Sequence, residues 1–192
     1  MDATEAYVLC DCTGYRLDGT DTEPNMYVGM IINRSLADTT DSVTGLGDVH
    51  TLVNAIGEMR RVAREAGFIA IKVDDIAEVN ARFGFDAGDR VLAESAACLM
   101  DCSRGKGRLF RSTGPTFVAL FDELGPEAID EIANDIERFL GSPVLIGSLE
   151  YQPPIRVATL HLDGVDRQPV SILNELKALL GKAVQVPGTK LD

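Results

Sequence analysis

The chain predicts an α+β fold, with helices packed against a largely antiparallel sheet, and three observations point there. Helical periodicity recurs along the sequence but is broken by apolar runs too brief to be helices. Two of those runs, Arg108–Ser112 and Thr116–Phe121, are separated only by Thr113-Gly114-Pro115, so they read as a hairpin. The element order is helix, strand, helix, helix, hairpin, helix, strand, helix, which is not the strict alternation of a parallel α/β sheet.

Each element has a local reason. Residues 6–35 read as two strands, Ala6–Cys12 and Met26–Ile32, with turn-rich Thr13-Gly14 and Asp18-Gly19-Thr20 between them. A hairpin of that size forms no core alone. Residues 36–47 are polar and suit a linker. Leu52, Ile56, Met59 and Ala63 recur on one helical face, and Gly67 is a natural stop. Phe68–Val73 is a central strand whose one polar member is Lys72. Asp75–Phe83 reads as a short helix ending at Gly84. Asp86 can cap a longer helix that turns Val91, Leu92, Ser95, Cys98, Leu99 and Cys102 inward. After the hairpin, Gly125-Pro126 opens a helix, since proline fits a first turn. Ile155–Leu162 is a strand and Pro169–Leu180 a last amphipathic helix.

Composition narrows the function. At 192 residues and 45% hydrophobic, the chain suits one domain plus a short appendage. A net charge of −12 excludes nucleic-acid polymers as partners, because phosphate backbones are bound by Lys/Arg-rich faces. It leaves open a small nucleotide held by local amides and a metal. No apolar stretch approaches the roughly 20 residues of a membrane helix, and no basic-then-apolar signal opens the chain. A soluble cytoplasmic protein, or a soluble piece of a longer one, is the expectation. Cys10, Cys12, Cys98 and Cys102 match no common zinc spacing, so reduced thiols are expected.

Three segments resemble the GGDEF family of diguanylate cyclases. Asp41-Ser-Val-Thr-Gly-Leu46 is similar to the family's Asp-x-Leu-Thr-Gly-Leu. Asn80-x-x-Phe-Gly84-x-x-x-Gly88-Asp89 is similar to its Asn-x-x-(Phe/Tyr)-Gly-His-x-x-Gly-Asp, with Phe85 in place of the His. The hairpin Arg111-Ser-Thr-Gly-Pro-Thr-Phe117 stands where the family has Arg-x-Gly-Gly-(Asp/Glu)-Glu-Phe. The resemblance covers residues 41–183, leaving residues 1–40 as an N-terminal hairpin and linker and residues 184–192 as a tail. Tyr27–Ser35 in turn resembles the last strand of a PAS sensor domain, which would make the chain a fragment, or carrier of a remnant, of a longer sensor. The resemblance implies a cyclase-like palm, a mostly antiparallel five-stranded sheet flanked by helices.

In active members two divalent ions clamp the phosphates of GTP, held by the first Asp of a strand-end Asp-x-Asp and the acidic third residue of the hairpin. Those positions are Lys72 and Pro115 here, and neither ligates Mg²⁺. Asp74 survives as the second strand-end acid. The family's hairpin Glu is Thr116, and its first hairpin glycine is β-branched Thr113, at a turn where positive φ is favoured. Losing both metal carboxylates implies loss of cyclase activity, and no cofactor is required; Mg²⁺ enters only with GTP.

What the resemblance leaves is a nucleotide-binding remnant. Asn80 and Asp89 align with the guanine readers, with Lys72, Asp74 and Gly114 beside them; the competing reading makes Asn80 a helix end and Asp89 a first-turn acid. Lys72 either reaches along the strand to solvent or replaces a metal as a phosphate partner. The product-inhibition motif falls at Arg104–Gly107, with its Arg present and its Asp missing. Arg104, Lys106, Arg108 and Arg111 form a basic cluster suited to an anion.

The expected function is therefore a catalytically inactive regulatory or interaction module in cyclic-di-GMP signalling, partnered by a PAS or phosphodiesterase domain or by a second copy. One alternative is a receptor for GTP at the former active site, or for cyclic-di-GMP near Arg104 and Arg111. The other is a residual cyclase.

Overall fold

The computed structural model describes residues 10–17, 26–33, 40–62, 65–103, 105–140, 143–163 and 167–189, with residues 10–17, 26–33 and 60–62 described by backbone alone. The chain divides into two units, Met1–Thr39 and Thr40–Asp192. In the first, β1 (Cys10–Leu17) and β2 (Met26–Asn33) pair antiparallel, from Cys10 opposite Asn33 to Leu17 opposite Met26. Thr13-Gly14, expected in a turn, lies inside β1 opposite Met30 and Gly29. Turn-forming residues yielded there to an uninterrupted ladder. Residues 6–9 and Asp18-Gly19-Thr20 lie outside the described residues.

The second unit is built on β3 (Glu65–Val73), which is buried without interruption from Ala66 to Ile71. It follows α1 (Val49–Val62) and precedes α2 (Ile76–Phe83) and α3 (Phe85–Ser103). The hairpin of β4 (Arg108–Arg111) and β5 (Thr116–Asp122) comes next, then α4 (Pro126–Leu140). Two short strands, β6 (Val144–Ile146) and β7 (Leu149–Tyr151), pair with each other before β8 (Ile155–Asp163), α5 (Pro169–Lys182) and β9 (Gln185–Val186). The main sheet has five strands in the order β4-β5-β3-β8-β9, and every neighbouring pair is antiparallel.

Side chains alternate along β3, so it serves two cores. Ala66, Phe68 and Ala70 join Leu52, Ile56 and Met59 of α1 and Ile172, Leu176 and Leu180 of α5. Ile69, Ile71 and Val73 join Val91 and Leu99 of α3 and Ile129 and Ile136 of α4. The architecture is the α+β palm expected: helices cover both faces of an antiparallel sheet.

Several boundaries differ from the sequence reading. Gly67 does not end α1; it sits in β3, where a Cβ would lie 2.3 Å from Ile129 Cδ1, so the glycine admits α4 to the sheet. Ala63 lies outside the described residues. Asp86 is in the first turn of α3 rather than at its cap, because the helix begins at Phe85 directly after Gly84. Residues 184–192, read as a tail, contribute β9 to the sheet edge beside β8. The short pairs β6–β7 and β8–β9 carry too few residues to show a period.

The closeness of Gly67 to α4 sets a test. Gly67→Ala is expected to lower unfolding stability in urea by about 1–3 kcal/mol, the usual cost of an added methyl in a packed core. Combined with Ile129→Ala, its cost should fall well below the sum of the two single changes.

Candidate functional site

The hairpin turn closes locally. Thr116 N–H donates to Thr113 O at 3.1 Å and Ser112 N–H to Thr116 O at 2.8 Å. Positive φ falls on Gly114 (56°), followed by a proline whose ring fixes φ negative, the pattern of a type II′ turn. Thr113 is not among the positive-φ residues, so its β-branch meets no strain where the sequence suggested some. Pro115 has no N–H to offer a ligand, and its carbonyl accepts from Val73 N–H at 3.0 Å, tying the turn to the end of β3.

Arg111 locks the same turn. Its Nη1 donates to both carboxylate oxygens of Asp41, at 2.9 and 3.1 Å, and its Nε donates to Gly114 O at 2.8 Å. Asp41 also accepts from the Thr44 amide and hydroxyl. Burial opposes ionisation of Asp41, yet the hydrogen bonds from Arg111 and Thr44 outweigh it and hold its carboxyl below the ordinary carboxylate value. The Asp41–Leu46 segment and the hairpin, 70 residues apart in the chain, are thus one assembly. Arg111, expected as an anion ligand, spends its guanidinium inside the protein.

At the strand end, Lys72 stands directly between Thr116 of β5 and Arg156 of β8. Two cations opposite one another on neighbouring strands repel. Asp74, 6% exposed, resolves this: Lys72 Nζ lies 2.7 Å from its Oδ1, while Arg156 Nε and Gln185 Nε2 each donate to Oδ2 at 2.8 Å. Burial again raises the Asp74 pKa, and the bonds from Lys72, Arg156 and Gln185 more than reverse it. The Lys72 side chain is 43% exposed at the strand end, with its ammonium paired to Asp74. Arg156 and Gln185 were missed from sequence. The one available signal was that Arg156, like Lys72, is a lone cation in an apolar strand.

This donor set does not suit Mg²⁺, which wants carboxylate, phosphate and water oxygens. An ammonium occupies one family ligand position, a proline the other, and both oxygens of Asp74 already accept from cationic or amide donors.

Gly88, next to Asp89 on α3, packs directly on Asn80. A Cβ on Gly88 would lie 2.0 Å from Asn80 Oδ1, so only glycine lets α3 pack on that amide. Asn80 Oδ1 is buried without a hydrogen-bond partner, and its backbone carbonyl accepts from Gly84 N–H at 3.0 Å. Asp89 follows on α3 and is exposed. Phe85, on the same helical face as Asp89, is 78% exposed. Asp75, just before α2, has a left-handed φ of 61°.

The inhibitory-site remnant fares differently. Arg104 lies outside the described residues. Arg108 is spent on Asp122 at 3.1 Å and Glu58 at 3.6 Å. Cys98 and Cys102 lie on α3 outside any disulfide, Cys102 buried and Cys98 half-buried. Burial first, then the neighbouring Cys102 and Asp101, pushes the Cys98 thiol up to about 12, which keeps it protonated and unreactive. The side chains of Cys10 and Cys12 are outside the described residues. Among the described residues no helix is long and apolar enough to cross a membrane.

An antiparallel sheet covered on both faces, with a hairpin presented beside the end of its central strand, defines a palm-type domain of the nucleotide-cyclase kind. Residues 38–157 match the family described as "Diguanylate cyclase, GGDEF domain", and the chain belongs to that family. Over 84 residues, 42% of this chain, it is 29% identical to diguanylate cyclase DgcS of Shewanella oneidensis, covering 28% of that protein. Over 119 residues, 61% of this chain, it is 28% identical to cyclic di-GMP phosphodiesterase PdeR of Escherichia coli, covering 18% of it. The chain thus spans only a minor part of either curated relative. The crystal structure of the FimX GGDEF domain from Pseudomonas aeruginosa superposes with a TM-score of 0.72 at 16% identity, covering 77% of this chain and 94% of that domain. At that identity the likeness speaks to the fold.

Two consequences can be measured. The folded-state pKa values of Asp41 and Asp74 lie below the ordinary 3.8, so the unfolded chain takes up protons first as pH falls. Stability from both groups is complete above the ordinary carboxylate range and drains away as the pH drops through 3.8 and below. Urea unfolding followed from neutral pH downwards should show that decline, and Asp74→Asn should flatten it while costing about 1–3 kcal/mol at neutral pH. Arg111→Ala should cost a similar amount, about 1–3 kcal/mol, and raise amide exchange in residues 112–115 and 41–46 together.

Proposed function

We propose that this domain is a catalytically inactive GGDEF module that regulates, or docks to, another domain or protein in bacterial cyclic-di-GMP signalling. The observation that carries the reading is the Lys72–Asp74 pair: the ammonium sits 2.7 Å from the surviving acid, where metal-assisted phosphoryl transfer needs an open carboxylate. Pro115 supports it from the hairpin side, since its carbonyl is committed to Val73 and it has no carboxylate.

The core that builds the palm is retained while the chemistry at its mouth is internally neutralised. A family fold kept for its shape is suited to pass on a signal or control a neighbour, and we assign such a role in the cytoplasm. Similar stretches occur in one relative named as a cyclase and another named as a phosphodiesterase. A PAS or phosphodiesterase domain, in the same chain or another, or a second copy of this domain, is the partner class proposed.

A second reading is favoured by one further observation. Gly88 fixes Asn80 against α3 while Asp89 stays open to accept hydrogen bonds from a base. GTP bound there, with or without Mg²⁺, would make the old substrate face a receptor pocket.

Incubation of the purified chain with GTP and Mg²⁺ or Mn²⁺ is expected to yield no cyclic-di-GMP above background; turnover that is lost in Asp74→Asn would overturn the proposal. Thermal unfolding with GTP or cyclic-di-GMP separates the two readings. A bound ligand at about a hundred times its dissociation constant adds about 2.7 kcal/mol, a shift of several degrees. A GTP shift abolished by Asn80→Ala plus Asp89→Ala would establish the receptor; no shift leaves protein–protein interaction as the function.

A further inference from the structure

At the end of β3 remote from the hairpin, three metal-ligating side chains converge. Glu65 is directly opposite Asp163 of β8, and His161 lies two residues earlier on the same strand, so all three project from one face of the sheet. The residue opposite His161 is Gly67, which has no side chain to compete for the space. The cluster and Lys72 lie about 23 Å apart along β3, at about 3.3 Å per residue. It is not part of the hairpin site.

The two His161 contacts are too long for good hydrogen bonds and use opposite ring nitrogens, of which a shared ion takes one. His161 Nε2 lies 3.6 Å from Glu65 Oε2, and Nδ1 lies 3.5 Å from Asp163 Oδ1. Neither is a good hydrogen-bond length. Nε2 is buried and has no hydrogen-bond partner. One ligand atom from each of the three residues lies within 4.8 Å of the others. Two ligands each about 2.0–2.1 Å from a tetrahedral ion sit about 3.3 Å apart, so an ion on one His161 nitrogen needs the carboxylate beside the other nitrogen, within 4.8 Å, to swing inward, and the 91% exposed Asp163 has room to do so. A neutral imidazole with two carboxylates carries a charge of about −2, which a divalent cation balances.

We propose that Glu65, His161 and Asp163 form a binding site for a divalent transition-metal ion of the Zn²⁺ class. One imidazole nitrogen and one oxygen from each acid supply the protein ligands, and water fills what remains. The imidazole favours Zn²⁺ and its neighbours over Mg²⁺ and Ca²⁺, which prefer all-oxygen sets. A bound ion would staple the start of β3 to the end of β8.

The test uses the whole chain, with Zn²⁺ and, as a spectroscopic probe, Co²⁺. Calorimetry is expected to show one Zn²⁺ bound per chain and thermal unfolding a rise with Zn²⁺. The Co²⁺-loaded chain should show weak visible bands without the intense sulfur-to-cobalt charge-transfer band. His161→Gln should weaken Zn²⁺ binding about tenfold or more, since loss of even an outer-shell partner costs about ten- to a hundredfold. Asp163→Asn, at a side chain 91% exposed, should do so without disturbing the fold. Cys98→Ser should leave binding unchanged. The proposal is overturned if no Zn²⁺ binds, if His161→Gln and Asp163→Asn leave binding intact, or if Co²⁺ gives a thiolate band that Cys98→Ser removes.

Discussion

A strand that is hydrogen-bonded along both edges and buried on both faces leaves its residues almost no freedom, and β3 is that strand. Its pairing with β5 runs from Ala66 opposite Asp122 to Lys72 opposite Thr116, and with β8 from Glu65 opposite Asp163 to Val73 opposite Ile155. Each face feeds a separate core, so α1 and α5 on one side and α3 and α4 on the other take their positions from the same residues. A one-residue slip would exchange Phe68 and Ile69 between cores and send every side chain to the wrong layer. Register is therefore fixed, and with it the place of Lys72 and Glu65 at opposite ends.

The acid next to that strand shows what the fixed register demands. Lys72 and Arg156 face one another across the ladder because β3 and β8 cannot slide. A buried carboxylate between them offsets their repulsion and draws Gln185 of β9 into the same contact. Asp74 so connects three strands of the sheet. A carboxylate in that state is a structural group, because releasing it to bind a metal would leave two cations opposed and an amide unpaired. Lys72, at one family metal position, is itself one of the three donors that hold this carboxylate.

Much of this was legible in the sequence, for reasons that vary by element. β3 was visible as an apolar run, and the β4–β5 hairpin by its turn residues, because both signals are local. The α4 start was visible because Pro126 suits a first turn. β6, β7 and β9 were not, since strands of two or three residues have no period to read. Gly67 was misread because glycine ends helices and also admits close neighbours, and only Ile129, far along the chain, decides which. At the site, the replacement of family acids by Lys72 and Pro115 could be read directly. The partners of Asp74 could not: Arg156 is 82 residues away and Gln185 is 111. Nor could the Arg111–Asp41 latch, which turned an expected anion ligand into a hairpin support.

Electrostatics bears on which ligands this palm can still hold. The chain carries a net charge of −12, so a polyanion approaches against the overall field unless local cations oppose it. At the mouth of the old site, Lys72 and Arg156 share one carboxylate, leaving roughly one positive charge where the family positions metal ions. Arg108 and Arg111 are paired with acids as well. A triphosphate would have to be held mainly by recognition of its base near Asn80 and Asp89, with little compensation for its charge. A protein surface meets no such obstacle. Exposed Phe83 and Phe85, at the junction of α2 and α3, give that region apolar area that a solvated nucleotide triphosphate does not need. This balance of charge and exposure is what supports the proposed reading of recognition by another protein.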